Sequence, residues 1–322
     1  MTRMTLPNWQ KRLWVSSKRN NMYHDPVLLH KSIEGLNIRP EGVYVDATFG
    51  GGGHARLLLE KLGPEGTLLA FDQDPEAEAN KPEDDRLIFV NQNFRYLKNF
   101  LRLYDKLPVD GILADLGVSS HQFDEAGRGF SIRFDGPLDM RMGKHQSLTA
   151  AEVVNTYSEE ELNRIFRLYG EIKNSRCMAK LICERRKEKE LETTFELAGT
   201  VEKCIPPTRK NKMLAMLFQA IRIEVNQELE ALKSFLEQTA EVLKPGGRLV
   251  VIAYHSLEDR LVKNFIKTGN FEGKVQKDFF GNDLVDFKPV VNKAIVPDEK
   301  EIQRNSRARS ARLRIAEKLE NR

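Results

Sequence analysis

Four consecutive glycines, Gly50 to Gly53, limit what this chain can fold into more than any other feature. Before them, Val43-Tyr44-Val45-Asp46 is β-branched and aromatic, the pattern of a buried strand. After them, the leucine-rich run Ala55 to Leu62 predicts a helix. Glycine lacks a Cβ, so such a turn lets the backbone approach a ligand closely and leaves the first helical N–H groups free to meet it. Ordering four glycines also costs entropy that a plain turn does not require. Strand, glycine turn and helix in this order open the nucleotide-type site of a parallel α/β sheet. Gly50-x-Gly52-x-x-Ala55 fits the loose dinucleotide fingerprint as well, so the ligand has to be read from the rest of the chain.

The strand ends that follow carry acids. Gly66 to Phe71 predicts a second strand ending in Asp72, roughly 20 residues past the glycines, where an acid accepts hydrogen bonds from ribose hydroxyls. A carboxylate offers only acceptors, which suits that task. Leu87 to Val90 predicts a third strand; Phe94 just beyond it is either a core aromatic or a flat partner for an adenine ring. Gly111 to Ala114 predicts a fourth, and Asp115 at its end points into the crevice where such sheets bind ligands. Polar, glycine-rich sequence then runs to about Gly143, long enough to be a functional loop.

From about Ser147 to Cys204 the periodicity is helical. Ser158-x-x-Glu161 is a capping box, and Leu162, Ile165, Phe166 and Tyr169 mark one apolar face. A long helix is expected from Lys212 to Leu243, stopped by Lys244-Pro245-Gly246-Gly247. Arg248 to Tyr254 predicts a fifth buried strand ending in His255-Ser256, with a helix from Leu257 to Lys267 after it. Weaker β-like stretches surround Phe279 and Val290, and the alternating Arg312-Leu313-Arg314-Ile315 predicts a closing edge strand.

At 322 residues the chain fits about two domains of ~150 each. Charged content of 30% suits a soluble protein, and no apolar run approaches the ~20 residues of a membrane span. The N-terminus lacks an apolar signal-peptide core, so a cytoplasmic location is expected. Cys177, Cys183 and Cys204 form no C-x-x-C pair and read as small core residues, not as a metal site or a disulfide.

Charge is concentrated at the ends. Residues 1–20 hold five basic and no acidic residues, together with Trp9 and Trp14; residues 304–322 hold seven basic and two acidic residues. Basic ends on an acidic body point to a polyanion such as nucleic acid. The two tryptophans either stack on bases or pack an amphipathic helix on the protein's own surface.

Three acids at strand ends also discriminate between ligands. S-adenosylmethionine carries a sulfonium and an ammonium, which acids favour; a dinucleotide would want fewer acids near its phosphates. The order of elements resembles the class I S-adenosylmethionine-dependent methyltransferases. The stretches H24-D-P-V-L-L, D46-A-T-F-G-G-G-G-H54, F71-D-Q-D-P75, D110-G-I-L-A-D-L-G-V-S-S-H-Q-F-D124, R128-G-F-S131, D135-G-P-L-D-M-R-M142, F218-Q-A-I-R-I-E-V-N226, Y254-H-S-L-E-D-R260 and R307-A-R-S-A-R-L-R314 occur in this order. Together they resemble the bacterial 16S ribosomal RNA (cytosine-N(4))-methyltransferase family, the H-type enzyme of the small subunit, from about His24 to Ile315.

The resemblance implies an α/β, Rossmann-like class I methyltransferase domain with an inserted all-α domain. Its expected boundaries are a basic extension at 1–22, the methyltransferase domain at 23–143 and 211–322, and the helical insert at 144–210. It implies that Gly52, Gly53 and His54 cradle S-adenosylmethionine, that Asp72 holds the ribose and Phe94 lies by the adenine, and that Asp115 and Gln122 complete the pocket. No metal is expected. The implied reaction is methylation of the exocyclic amine of a cytidine in 16S ribosomal RNA, on a base that is unpaired or flipped out. Asp115 is the candidate catalytic residue, as acceptor for the amine's N–H. The D-P-P-Y motif of many amino-methyltransferases is absent; Asp115-Leu116-Gly117-Val118 stands in its place. His255 and Ser256 either face the base or serve the structure. The chain departs from the family before the long helix, where Lys212 to Leu217 lacks the usual polar Thr and Arg.

Overall fold

The computed structural model describes residues 26–143 and 146–320. The basic extension expected at 1–22, with Trp9 and Trp14, lies outside the described residues, as do His24 and Asp25. Five strands run parallel: β1 (Val43–Asp46), β2 (Thr67–Phe71), β3 (Leu87–Val90), β4 (Val109–Asp115) and β5 (Leu243–Ala253). Two antiparallel strands, β6 (Phe287–Pro289) and β7 (Arg312–Lys318), complete a sheet of order β3-β2-β1-β4-β5-β7-β6. The helices in chain order are α1 (Leu29–Leu36), α2 (Gly53–Leu59), α3 (Leu97–Leu103), α4 (Ser120–Asp124), α5 (Ala150–Thr156), α6 (Glu159–Leu168), α7 (Ser175–Arg185), α8 (Thr194–Val201), α9 (Lys210–Asn226), α10 (Glu228–Val242), α11 (Ser256–Thr268) and α12 (Glu299–Arg304).

The period of two in the strands sorts their side chains onto two cores. Tyr44, Leu68, Leu113 and Val250 pack with Leu36 of α1 and Leu58 of α2. Their neighbours Val45, Leu69, Ile112 and Val251 face the other way, onto Leu101 of α3, Phe235 of α10 and Val262 of α11. Burial on both faces explains why these strands read as continuous apolar runs. This is the doubly wound, Rossmann-like architecture of class I methyltransferases. The chain crosses over between β1 and β4, so the sheet order reverses there and opens a crevice beyond the strands' carboxyl ends.

A third core is all-helical. It joins α5 to α8 with α9, and takes in Phe130, Leu138, Met140 and Met142 from the loop before α5. The helical layer therefore draws on residues on both sides of 144–210. Asn226, at the end of α9, ties that loop down: its Oδ1 accepts the Met142 N–H at 2.8 Å, and its Nδ2 donates to the Met140 and Arg222 carbonyls, both at 2.8 Å.

Several expectations are corrected. The helix foreseen from Lys212 to Leu243 is two helices, broken at Gln227, whose φ of 50° is left-handed. Nothing local forces this break, because Gln is a good helix former; the Glu228 carboxylate instead turns back to grip Arg222 at 2.8 and 3.0 Å. β7 is not an edge strand, since β6 pairs along its outer side. Around Phe279 there is a single bridge between Lys277 and Asp283 in place of a strand. Cys177 and Cys204 are joined by a disulfide across 27 residues, whereas Cys183 is free.

Asn226→Ala would strip partners from buried groups in the loop and the helix together. It is expected to lower the unfolding free energy by on the order of 2–4 kcal/mol in urea titrations. A loss below about 0.5 kcal/mol would show that the loop is held by packing alone.

Candidate active site

The glycine loop is shaped by what lies behind it. Gly52 has φ 74°, a left-handed conformation that L side chains rarely take. A Cβ on Gly53 would sit 2.1 Å from Cγ of Pro26, so the segment before α1 packs directly against the turn. His54 completes this seal. It is buried, its Nε2 lies 3.2 Å from the Val27 carbonyl, and burial pushes its pKa down to about 4, so the ring is neutral. The ring expected to cradle a cofactor holds the segment before α1 through Nε2, while its Nδ1 lies 3.9 Å from Asp115.

Three carboxyls converge at the strand ends. Asp46 closes β1 and is 1% exposed. Its Oδ1 accepts the Thr48 N–H at 3.1 Å, while its Oδ2 is buried with no hydrogen-bond partner. Asp115 closes β4 and keeps 21% of its side chain exposed. Its Oδ1 accepts the Tyr254 hydroxyl at 2.7 Å, and its Oδ2 lies 3.9 Å from Nδ1 of His54. Thr48 links the two strands, since its Oγ1 accepts the Asp115 N–H at 2.6 Å. Asp72 follows β2, and both its oxygens hold backbone: Oδ2 takes the Gly50 N–H at 2.7 Å and Oδ1 the Asp74 N–H at 2.8 Å.

Burial disfavours the charged form of all three. It pushes Asp46 and Asp115 up to about 7 and Asp72 up to about 6. Hydrogen bonds from Thr48 to Asp46, from Tyr254 to Asp115, and from Asp74 and Gly50 to Asp72 act the other way; repulsion by Asp72 on Asp46, by Asp46 and Glu258 on Asp115, and by Asp74 on Asp72 adds to the rise, and Arg128 opposes it at Asp72. An apolar or anionic ligand would gain nothing here. A ligand bearing positive charge would relieve the repulsion and give the bare Asp46 oxygen a partner. The residues present therefore fit the sulfonium and ammonium of S-adenosylmethionine.

Two expected pocket residues have these partners within the protein. Gln122 is buried and its amide is committed: Oε1 accepts the Ser119 N–H at 3.1 Å and Nε2 donates to Asp74 at 2.8 Å. Phe94, just beyond β3, is half-buried, with its ring edge-on to Phe235 at 5.1 Å between centroids. Sequence reading missed Asp74 and Arg128. The Arg128 guanidinium bonds Asp74 at 2.7 Å and the carbonyls of Arg141 and Met142 at 3.0 and 3.3 Å. It pins the long loop to the strand that carries Asp72. The sequence signal for both was their place in quoted motifs, Asp74 in F71-D-Q-D-P75 and Arg128 in R128-G-F-S131.

At the end of β5, His255 caps α11: its Nδ1 accepts the Glu258 N–H at 3.4 Å. Ligand atoms of Glu228, His255 and Glu258 lie within 4.8 Å of one another, a spacing that would suit a metal ion. The chemistry points elsewhere. A ring whose Nδ1 accepts an N–H carries its hydrogen on Nε2, so that buried atom, 3.1 Å from Glu258 but without a hydrogen-bond partner, presents an N–H and not a lone pair. Glu228 is already gripped by Arg222 through both oxygens. Burial alone would raise Glu258, but His255, the Tyr254 N–H and Arg222 outweigh it and hold this carboxylate low. Ser256 turns outward and donates to Glu171, on the loop after α6, at 2.5 Å.

A cationic ligand must ionise carboxyls that are partly protonated below neutrality. S-adenosylmethionine should bind more tightly as pH rises from about 5.5 to 8, with protons released on binding at the lower end. Calorimetry in buffers of different ionisation enthalpy measures both; a flat affinity profile with no proton release would contradict this electrostatic picture.

Comparison with known proteins agrees with the geometry. Residues 21–319 match the model of the MraW methylase family. The chain is 60% identical over 296 residues to the ribosomal RNA small subunit methyltransferase H of Bacteroides thetaiotaomicron, covering 92% of this chain and 97% of that protein. It is 57% identical over 297 residues to the protein of the same name from Flavobacterium johnsoniae, covering 92% and 98%. With the same strand-end acids, glycine turn and helical layer running through the matched region, this chain belongs to the MraW methylase family.

Proposed function

We propose that this protein transfers a methyl group from S-adenosylmethionine to the exocyclic amine of a cytidine in the ribosomal RNA of the small subunit. The observation that carries this reading is Asp115: a partly exposed carboxyl at the reversal point of the sheet, with one oxygen tethered and the other available. The bound sulfonium would supply an electrophilic methyl carbon. Asp46, with its bare oxygen, would meet positive charge on that donor. Asp72 would offer its remaining lone pairs to ribose hydroxyls while holding Gly50 in place, and Phe94 would give the adenine an edge already anchored by Phe235.

The amine of cytosine is a weak nucleophile, because its lone pair is delocalised into the ring. Holding it in line with the methyl carbon replaces orientational entropy that solution chemistry would have to supply. Asp115 accepting one of its N–H bonds would return electron density to nitrogen and take the proton away. The names of the relatives support ribosomal RNA as the substrate.

Arginines that would meet phosphates fall on the same end of the sheet. Arg312 pairs in register with Ala253 at the end of β5, and its side chain is 57% exposed with Asp259 at 3.5 Å. Arg309, three residues earlier, is exposed. Arg260 lies one turn into α11 and is 56% exposed beside Glu171. Arg314, by contrast, is only 13% exposed, donates to Asp259 at 2.7 Å and belongs to the scaffold.

Incubation with labelled S-adenosylmethionine and small ribosomal subunits lacking the modification should place label in N4-methylcytidine, read by nucleoside mass spectrometry. Label in another nucleoside would overturn the choice of target. Replacing Arg309 and Arg312 together with Gln should weaken RNA binding and reduce the slope of log affinity against log salt by about 1–2. Cofactor affinity should be unchanged. An unaltered salt slope would remove these arginines from the RNA face.

A further inference from the structure

We infer that Tyr254 is a positioning residue for methyl transfer: it tethers one oxygen of Asp115 so that the other faces the target amine. This rests on the reaction proposed above.

The geometry is specific. The Tyr254 hydroxyl donates to Oδ1 of Asp115 at 2.7 Å, from the end of β5 to the end of the neighbouring β4. The ring lies against the loop that leaves Asp115: a Cβ on Gly117 would stand 3.8 Å from its Cδ2. Gly117 has φ 96°, a conformation that residues with a Cβ rarely adopt. The chain thus carries no aromatic in Asp115-Leu116-Gly117-Val118, and the adjoining strand places one beside it. Tyr254 is itself fixed at the backbone, since its N–H donates to Glu258 at 2.9 Å. Glu258 sits beside His255 at 3.1 Å, which caps the same helix. The hydroxyl is consequently presented by a tethered residue and not by a free rotor.

The charged groups around Asp115 leave few other ways to set its orientation. Asp46 faces it from β1, His54 from α2 and Glu258 from α11, while Glu301 of α12 acts on Tyr254. Two of the three around Asp115 are acids and the third is a neutral imidazole. Tyr254 is the side chain that donates a hydrogen bond to the carboxylate. Its own proton is secure, because burial and then the charge of Asp115 push the phenol well above its ordinary range. A donor to the ionised form lowers the pKa of an acid, so the hydroxyl also keeps Asp115 ready to accept a proton nearer neutrality.

In the step itself, the amine nitrogen forms a bond to the methyl carbon as the carbon–sulfur bond breaks. The electron pair of that bond stays on sulfur, and the N–H proton passes to Oδ2 of Asp115. The products are a neutral thioether, a methylated amine and a protonated carboxyl. Tyr254 retains its own proton throughout.

Tyr254→Phe keeps the ring and removes only the donor. With small subunits as substrate, kcat should fall roughly tenfold, the value expected for losing a hydrogen bond to a charged group. The midpoint of the pH–rate profile should move to higher pH, and the affinity for S-adenosylhomocysteine, which also reports that the variant is folded, should stay within about twofold. Asp115→Asn should cost about a hundredfold or more, and adding Tyr254→Phe to it should cost nothing further. An unshifted pH profile, or equal losses in the presence and absence of the Asp115 carboxylate, would overturn the role while leaving the functional reading intact. A wild-type enzyme that methylates no ribosomal RNA would overturn both.

Discussion

Three carboxyl groups that resist being charged govern this structure. Asp46, Asp72 and Asp115 are carried to the same crevice by β1, β2 and β4, and burial raises the pKa of each into the range of about 6 to 7. Leaving such groups near one another in a folded protein is costly unless something positive completes the site. Of the fold's own cations, Arg128 bears on Asp72 and opposes the rise there. The imidazole beside Asp115, His54, is neutral because the same burial that raises the acids lowers it. A cationic ligand would complete the site.

The surrounding architecture follows from keeping those acids in place. Thr48 spans β1 and β4 by accepting the Asp115 N–H, and Asp72 fastens the glycine turn through Gly50. Pro26 leaves no room for a side chain at Gly53. Beyond the sheet, Arg128 and Gln122 both reach Asp74, so the loop leading into the helical layer is locked to the strand that bears Asp72. Asn226 fastens the far end of that loop to α9. Cofactor side and helical layer are therefore joined by hydrogen bonds and not by packing alone.

The parts of this legible in the sequence were those with a local signal. The acids announced themselves because each ends a buried apolar run, and the glycine turn because no other residue replaces it there. The capping box at Ser158 and Glu161 is present as read. What escaped depends on partners remote in the chain. Gln227 breaks a helix where nothing in its neighbourhood suggests a stop. Cys177 and Cys204 meet across 27 residues with no spacing rule to connect them. The hydrogen bond from the Gln122 amide to Asp74, 48 residues away, has no local signal either. Tyr254 read as the last residue of a strand; only pairing of β5 with β4 puts its hydroxyl on Asp115. The alternation of Arg312 to Ile315 identified a strand correctly but could not show that β6 would cover its outer side.

The most direct test is a carboxyl-detected NMR titration of the ligand-free protein with Asp46, Asp72 and Asp115 assigned, repeated with S-adenosylmethionine bound. The account requires all three to titrate well above an ordinary aspartate without ligand, near 6 to 7, and to move down when the sulfonium arrives. Titration near 4 in the free protein, or midpoints indifferent to the ligand, would contradict it.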